Sequence, residues 1–204
     1  MEDIVLVGFG GHAASVLDSI ERAGLYNVVG YTDYKKKDGT LKYEYLGDDN
    51  SLDQIYDQGI RKAFVSLGQI GTDEIRHTLY NRLKIIGYEL PSIIDPSAII
   101  SNTAVIEEGC FIGKGAIINR NTKIGKMSII NTGAVCEHDN QIGEFTHIAV
   151  RSVLCGNVHV GDNCFIGANT TIIQSVNIEN GAVIGASSLV RHDVSKGRKV
   201  YGTV

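Results

Sequence analysis

The chain has 204 residues, 43% of them hydrophobic, and a formal net charge of −4 at pH 7. That length suits one large domain or two small ones and supplies enough apolar surface for a packed core. So mild a charge, with no basic block beyond Lys35-Lys36-Lys37, argues against nucleic acid and membrane surfaces as partners. No apolar run approaches the roughly 20 residues of a membrane span, and the acidic start Met1-Glu2-Asp3 leads into a strand, so the expected location is cytoplasmic. The four cysteines (Cys110, Cys136, Cys155, Cys164) form no CxxC pair, which speaks against a zinc site or a disulfide framework.

Residues 1 to about 90 alternate strand and helix. Asp3–Gly8, "DIVLVG", reads as a buried strand, followed by a glycine-rich turn and a helix over His12–Ala23. Asn27–Asp33 and Lys62–Gly68 read as further parallel strands. Tyr34–Gly39, holding the three lysines, reads as a solvated loop. Thr72–Gly87 reads as an amphipathic helix, with Thr72 as N-cap, Asp73 and Glu74 complementing the dipole, and Gly87 as its stop. The expectation is a small Rossmann-like βαβ domain over residues 1–90, shorter than a full dinucleotide-binding fold.

"GFGGHA", Gly8–Ala13, sits where a strand gives way to a helix. Glycines let the backbone approach an anion, and a helix N-terminus offers free N–H groups and a positive dipole. The bare pattern matches a dinucleotide fingerprint, but the short domain lacks a second mononucleotide-binding half, which disfavours NAD. Gly10, Gly11 and His12 are candidate phosphate contacts, and Asp33 is a candidate acceptor for a ribose or base donor.

From Ile94 the rhythm changes. Every sixth residue through Val190 is Ile, Leu or Val, with Cys136 the one departure, and the position four after each is usually small. Neither the helical period nor the strand period gives an unbroken six. A triangular coil does, with three short strands per turn and one aliphatic per face pointing inward. Stacked coils pair as parallel strands do, roughly 4.8 Å apart. Residues 91–204 are therefore expected to form a parallel β-helix. The pattern resembles the hexapeptide repeat of the left-handed β-helix acyltransferases, and that resemblance supplies the handedness.

Within the coils, "NTGAVCEHDNQIGEFTHI" (Asn131–Ile148) gathers two histidines, flanking carboxylates and Asn131. Moving an acetyl group from a thioester to an amine or hydroxyl requires that the nucleophile lose a proton, and a histidine takes it. A carboxylate beside the imidazole fixes its tautomer, and a second imidazole or a backbone N–H suits the developing oxyanion. His138 and Asp139 are accordingly the candidate catalytic pair.

The whole chain resembles a narrower group, the bacterial acetyltransferases of UDP-4-amino-sugars and the related sialic acid O-acetyltransferases. "GFGGHA", Asn131–Ile148 and "GNVHVGDNCFIGANTTI" (Gly156–Ile172) carry the likeness. It implies that His138 is the general base, sharpened by Asp139 where the family commonly has Glu, and that His147 contacts acetyl-CoA near the thioester. It implies further that Ala168 and Ala186 contact the rest of acetyl-CoA, and that the N-terminal loop, Asp33 and Gly68 hold the nucleotide of the sugar substrate, with Asn131 on the substrate side. Homotrimers with acetyl-CoA between adjacent β-helices are implied, and no metal. The family's usual Gly-x-Pro-Ala-Lys-like tail is not matched by "YGTV", Tyr201–Val204. The reading is N-acetylation of a nucleotide-linked amino-sugar in surface glycan synthesis, with sialic acid O-acetylation or a non-catalytic nucleotide-sugar-binding trimer as rivals.

Overall fold

The computed structural model describes residues 1–38, 42–70 and 74–204, in two compact units. Met1–Gly68 with Glu74–Pro91 forms the first. It contains β1 (Glu2–Val7), α1 (Gly11–Ala23), β2 (Tyr26–Thr32), α2 (Leu52–Asp57), β3 (Lys62–Val65) and α3 (Glu74–Ile86). The three strands are parallel in the order β2-β1-β3. Ile4, Val5, Leu6 and Val7 of the central strand are all fully buried, as a parallel strand covered on both faces requires. α1 turns Ala13, Val16 and Ile20 inward at helical spacing and stops at Gly24, whose N–H bonds the Ile20 carbonyl.

Sequence and structure differ at several ends. α1 starts at Gly11 rather than His12, and β3 closes at Val65 rather than Gly68. Thr72 and Asp73, the expected cap and first-turn acid of the last helix, lie outside the described residues, as does Gly39 at the end of the lysine loop. α2 was not expected: six residues are too few to show a period, and it is held by buried Leu52 and Ile55 behind a 3₁₀ turn, Asp49–Ser51. The chain crosses from β2 back past β1 to β3, so a crevice opens at the carboxyl end of β1 where the strand order reverses, the place where such sheets bind ligands.

Ser92–Val204, with Gln69 and Ile70, forms the second unit. It is a three-sided parallel β-helix. The first face runs from Ile93–Ile94 to Lys199–Val200, the second from Ile99–Ile100 to Leu189–Val190, and the third from Val105–Ile106 to Asn177–Ile178. Partners lie 18 residues apart, so Ile130 pairs with Ile112 on one side and Ile148 on the other. The six-residue column is the interior, and Ile112, Ile118, Ile124, Ile130, Ile148 and Leu154 are fully buried. Each contributes about 1.5–3 kcal/mol before entropy.

Every sixth residue from Gly109 to Ser187 has a positive φ, and these residues form the corners. Gly, Asn and Asp suit that conformation; Met127 and Phe145 do not, yet occupy it with buried side chains. The left-handed backbone costs roughly 1–2 kcal/mol per residue, which burial of a large apolar side chain offsets. The small positions four after the column do more than avoid crowding. Thr122, Ser128, Thr146, Ser152 and Thr170 each donate a hydroxyl to a carbonyl 15 residues on, at 2.7 to 3.0 Å. At the end of the chain, Val204 N–H bonds the Leu189 carbonyl, so "YGTV" extends the second face. Among the described residues no helix is long and apolar enough to cross a membrane.

Candidate active site

His138 and Asp139 occupy the corner between the second and third faces. Asp139 sits at φ 62, a left-handed position that a short polar residue tolerates. From there its carboxylate reaches back to His138 Nδ1 at 2.8 Å, while the Asn121 side-chain amide, one coil away, donates to the other oxygen at 2.9 Å. These two bonds, the imidazole's first, hold the Asp139 carboxyl below the usual carboxylate range. Glu137 takes no part in orienting the ring, since its carboxylate accepts from the His138 backbone N–H at 3.3 Å. With Nδ1–H directed at Asp139, the lone pair of Nε2 remains for a proton.

The ring rests over Gly156, the residue one coil further on. A Cβ on Gly156 would lie 2.6 Å from both Cε1 and Nε2 of His138. Glycine there is what lets the imidazole lie flat on the coil. Cys136, just before this turn, is fully buried, and burial pushes its thiol up to about 12, so it is an inert part of the interior.

His147 lies elsewhere, on the first face, and is 8% exposed. Its Nδ1 is 2.7 Å from the Gln69 carbonyl, and its Nε2 is 3.1 Å from Asn131 Nδ2. Asn131 Oδ1 accepts from Thr132 N–H at 2.8 Å, which fixes the amide so that its nitrogen faces the ring. His147 is therefore the Nδ1–H tautomer, donating to Gln69 and accepting from Asn131. Ala168 and Ala186 stack 18 apart at the neighbouring corner, between the first and second faces. Among the described residues, none accepts from the backbone N–H of either alanine, although the Ala168 carbonyl is bonded by Ser187 N–H.

Within one chain, then, the second face separates two groups: His138, Asp139 and Gly156 on one edge, and Asn131, His147, Ala168 and Ala186 towards the other. The sequence pointed to most of these residues but not to Gly156, Asn121 or Gln69. Gly156 and Asn121 become visible once the coil is known to be 18 residues, since they lie 18 from His138 and Asp139. Gln69 carries no sequence signal.

In the first unit, Phe9, Gly10, Gly11, Ala14, Leu17, Lys37, Lys42 and Tyr43 line a cavity of about 590 Å³. Gly10 caps α1 with no side chain bonded to the helix start, and no acidic residue stands in the first turn, so the N–H groups and the dipole face the cavity uncompensated. His12 follows, and a Cβ on Gly68 would meet its Cβ at 3.4 Å. Asp33, 5% exposed, accepts from Phe9 N–H at 2.8 Å and pairs with Lys37 Nζ at 3.0 Å. Its carboxylate holds the glycine loop and a cavity lysine in place. Phe9 stacks on Tyr31 with ring centroids 4.0 Å apart. Two lysines, an open helix start and an aromatic wall suit a nucleoside diphosphate.

Coils of 18 residues joined to a βαβ unit with an anion-binding loop define a hexapeptide-repeat acyltransferase. Residues 3–83 match the PglD N-terminal domain, residues 103–136 the hexapeptide repeat of succinyl-transferase, and residues 141–174 the bacterial transferase hexapeptide of six repeats. PerB from Caulobacter crescentus, whose crystal structure holds CoA and GDP-perosamine, is 32% identical over 99% of this chain and 95% of its own, with a TM-score of 0.91. A histidine-to-alanine variant of GDP-perosamine N-acetyltransferase from the same organism is 30% identical over 99% and 94%, with a TM-score of 0.92. The acetyltransferase domain of PglB from Neisseria gonorrhoeae FA1090, 24% identical over 99% and 97%, has the same fold at a TM-score of 0.92. Comparison with curated protein sequences gives no match. The chain belongs to the hexapeptide-repeat sugar acetyltransferases, acetyl-CoA-dependent enzymes with a left-handed β-helix. Within that family it is a nucleotide-sugar acetyltransferase.

Proposed function

We propose that the chain N-acetylates a nucleoside-diphosphate-linked 4-amino-4,6-dideoxy sugar for a bacterial surface glycan, in the cytoplasm, with His138 as general base. The observation that carries this reading is the His138–Asp139 pair, exposed at a coil corner with Nε2 open over Gly156. The perosamine enzyme, crystallised with CoA and GDP-perosamine both in PerB and in a histidine variant, supports it.

The sugar amine attacks the thioester carbonyl of acetyl-CoA. As the C–N bond forms, His138 Nε2 takes the amine proton, and Asp139 stabilises the imidazolium through Nδ1–H. The C–S bond then breaks, and the proton passes from His138 to the departing CoA sulfur. The unbonded N–H groups of Ala168 and Ala186 suit the carbonyls of the CoA arm. His147, with both nitrogens engaged, holds the Asn131 amide at the same corner. The first unit grips the nucleotide through the cavity behind Gly10 and Gly11.

A homotrimer follows from the same layout. Base and CoA corner flank the second face, whose outward residues form an apolar column: Ile99, Ile117, Val135, Val153 and Leu189. Ile99 is 64% exposed in the single chain. Burying that column against other copies would bring the base of one chain to the CoA corner of the next.

His138→Ala is expected to keep the fold and lower kcat about 10²–10⁴-fold. The assay is CoA release with UDP-linked and GDP-linked 4-amino-sugars, against free sialic acid as the hydroxyl rival. Turnover of the variant near wild type would remove His138 as the base, and turnover of sialic acid alone would replace the amine acceptor.

A further inference from the structure

The small positions of the coil carry Ala, Ser, Thr, Cys or Val throughout, with a single exception. Asn140 is the one amide among them, it is fully buried, and it stands two residues after His138. Where Thr122 and Thr146 use a hydroxyl to reach a carbonyl 15 residues on, Asn140 Nδ2 reaches back to the Leu154 carbonyl, 14 residues on, at 3.4 Å. Its Oδ1 accepts from Val158 N–H at 2.6 Å.

That shift of one residue has a geometric result. The Leu154 carbonyl already accepts from Glu137 N–H at 3.0 Å. Both ends of the turn Glu137–Asn140 therefore close on the same oxygen. On the opposite side, the Thr122 hydroxyl donates to the Glu137 carbonyl at 2.7 Å and accepts from Asn140 N–H at 3.3 Å, again gripping both ends. The bonds of Asn140 also fall on Leu154 and Val158, two residues either side of Gly156, on which the imidazole rests. Elsewhere in the β-helix a hydroxyl supplies the grip from one side only.

We propose that Asn140 is a positioning residue: its buried amide clamps the turn carrying His138 and Asp139 to the strand ends flanking Gly156, and so fixes where the imidazole stands. Asn140 touches neither substrate nor reacting atoms; it acts through the Glu137–Asn140 turn. The kinetic part of the inference rests on His138 being the base, whereas the placement of the ring does not.

The test is Asn140→Thr, which restores the pattern of the other coils and keeps an acceptor for Val158 N–H, so the fold has a ready alternative. The expected result is a melting temperature within a few degrees of wild type, kcat lowered about tenfold, and KM for acetyl-CoA and for the amino-sugar within about twofold. The imidazole ¹H–¹⁵N correlation of His138 should move or broaden, while that of His147 stays in place. Wild-type kcat with an unchanged His138 spectrum would overturn the proposal. So would a fall in activity that only tracks a large loss of thermal stability, which would make Asn140 a general core residue. His138→Ala alongside separates the two claims: an active His138→Ala protein removes the base, while the spectrum still decides whether Asn140 holds the ring.

Discussion

A general base must be held as well as present, and the geometry at His138 depends on what one neighbour lacks. Gly156 lies under the imidazole with its φ in the ordinary negative range, so alanine suits its backbone and only the added carbon matters. At 2.6 Å from Cε1 and Nε2 that carbon is closer than any contact can be, and the ring must lift away from the coil and from Asp139. Gly156→Ala is expected to lower kcat about 10–100-fold with the melting temperature nearly unchanged. Steady-state kinetics and a thermal melt on one preparation decide it, and unaltered kcat would show that the ring's place over Gly156 is of no consequence. The sequence disclosed the His138–Asp139 pair because histidine and carboxylate are rare in a run of Ile, Val, Ala and Gly. It concealed Gly156, because glycine is common in this chain and is informative only by its distance from another residue. Asp33 was legible as an acid at a strand end, but its partners Phe9 N–H and Lys37 come from loops that have no period.

At the scale of the element, the β-helix was legible because one requirement repeats at every face: an aliphatic inward, then a corner. The corner itself was half hidden. Its left-handed residue is Gly115 in one coil, Asn121 in the next corner and Arg151 further on, so no residue type marks it. The conformation can be isolated at Gly115, with φ +62 and open space where a Cβ would stand. Gly115→Ala should therefore destabilise by about 1–2 kcal/mol, from backbone strain alone. Gly115→Asn should cost clearly less, because the asparagine side chain bonds locally in that region. Denaturant melts of the two variants test this, and equal losses would mean the corner geometry is not the cause. In the first unit, strands and long helices were legible from burial and period, whereas α2 lies below the length at which a period can be read.

At the scale of the molecule, the position of the second face makes a claim that a single chain cannot satisfy. His138 stands where that face turns into the third, and Ala168 and Ala186 stand where the first turns into it. If an active site draws its base from one chain and its CoA corner from the next, two differently damaged chains should repair each other. Ala168→Tyr is expected to fill the CoA corner, and His138→Ala removes the base, so each homotrimer alone should be nearly inactive. Co-expressed in equal amounts, they assort at random, and about a quarter of the interfaces in the mixed trimers carry an intact base opposite an intact corner. Activity should recover towards that fraction. Light scattering of the wild type should give three times the chain mass, and Val135→Glu with Val153→Glu, two charges in the apolar column, should reduce it to one while His138 and Asp139 remain bonded. No recovery on mixing, from trimers shown to be mixed by tag exchange, would place base and CoA on one chain and remove the reason for the column to be covered by another copy.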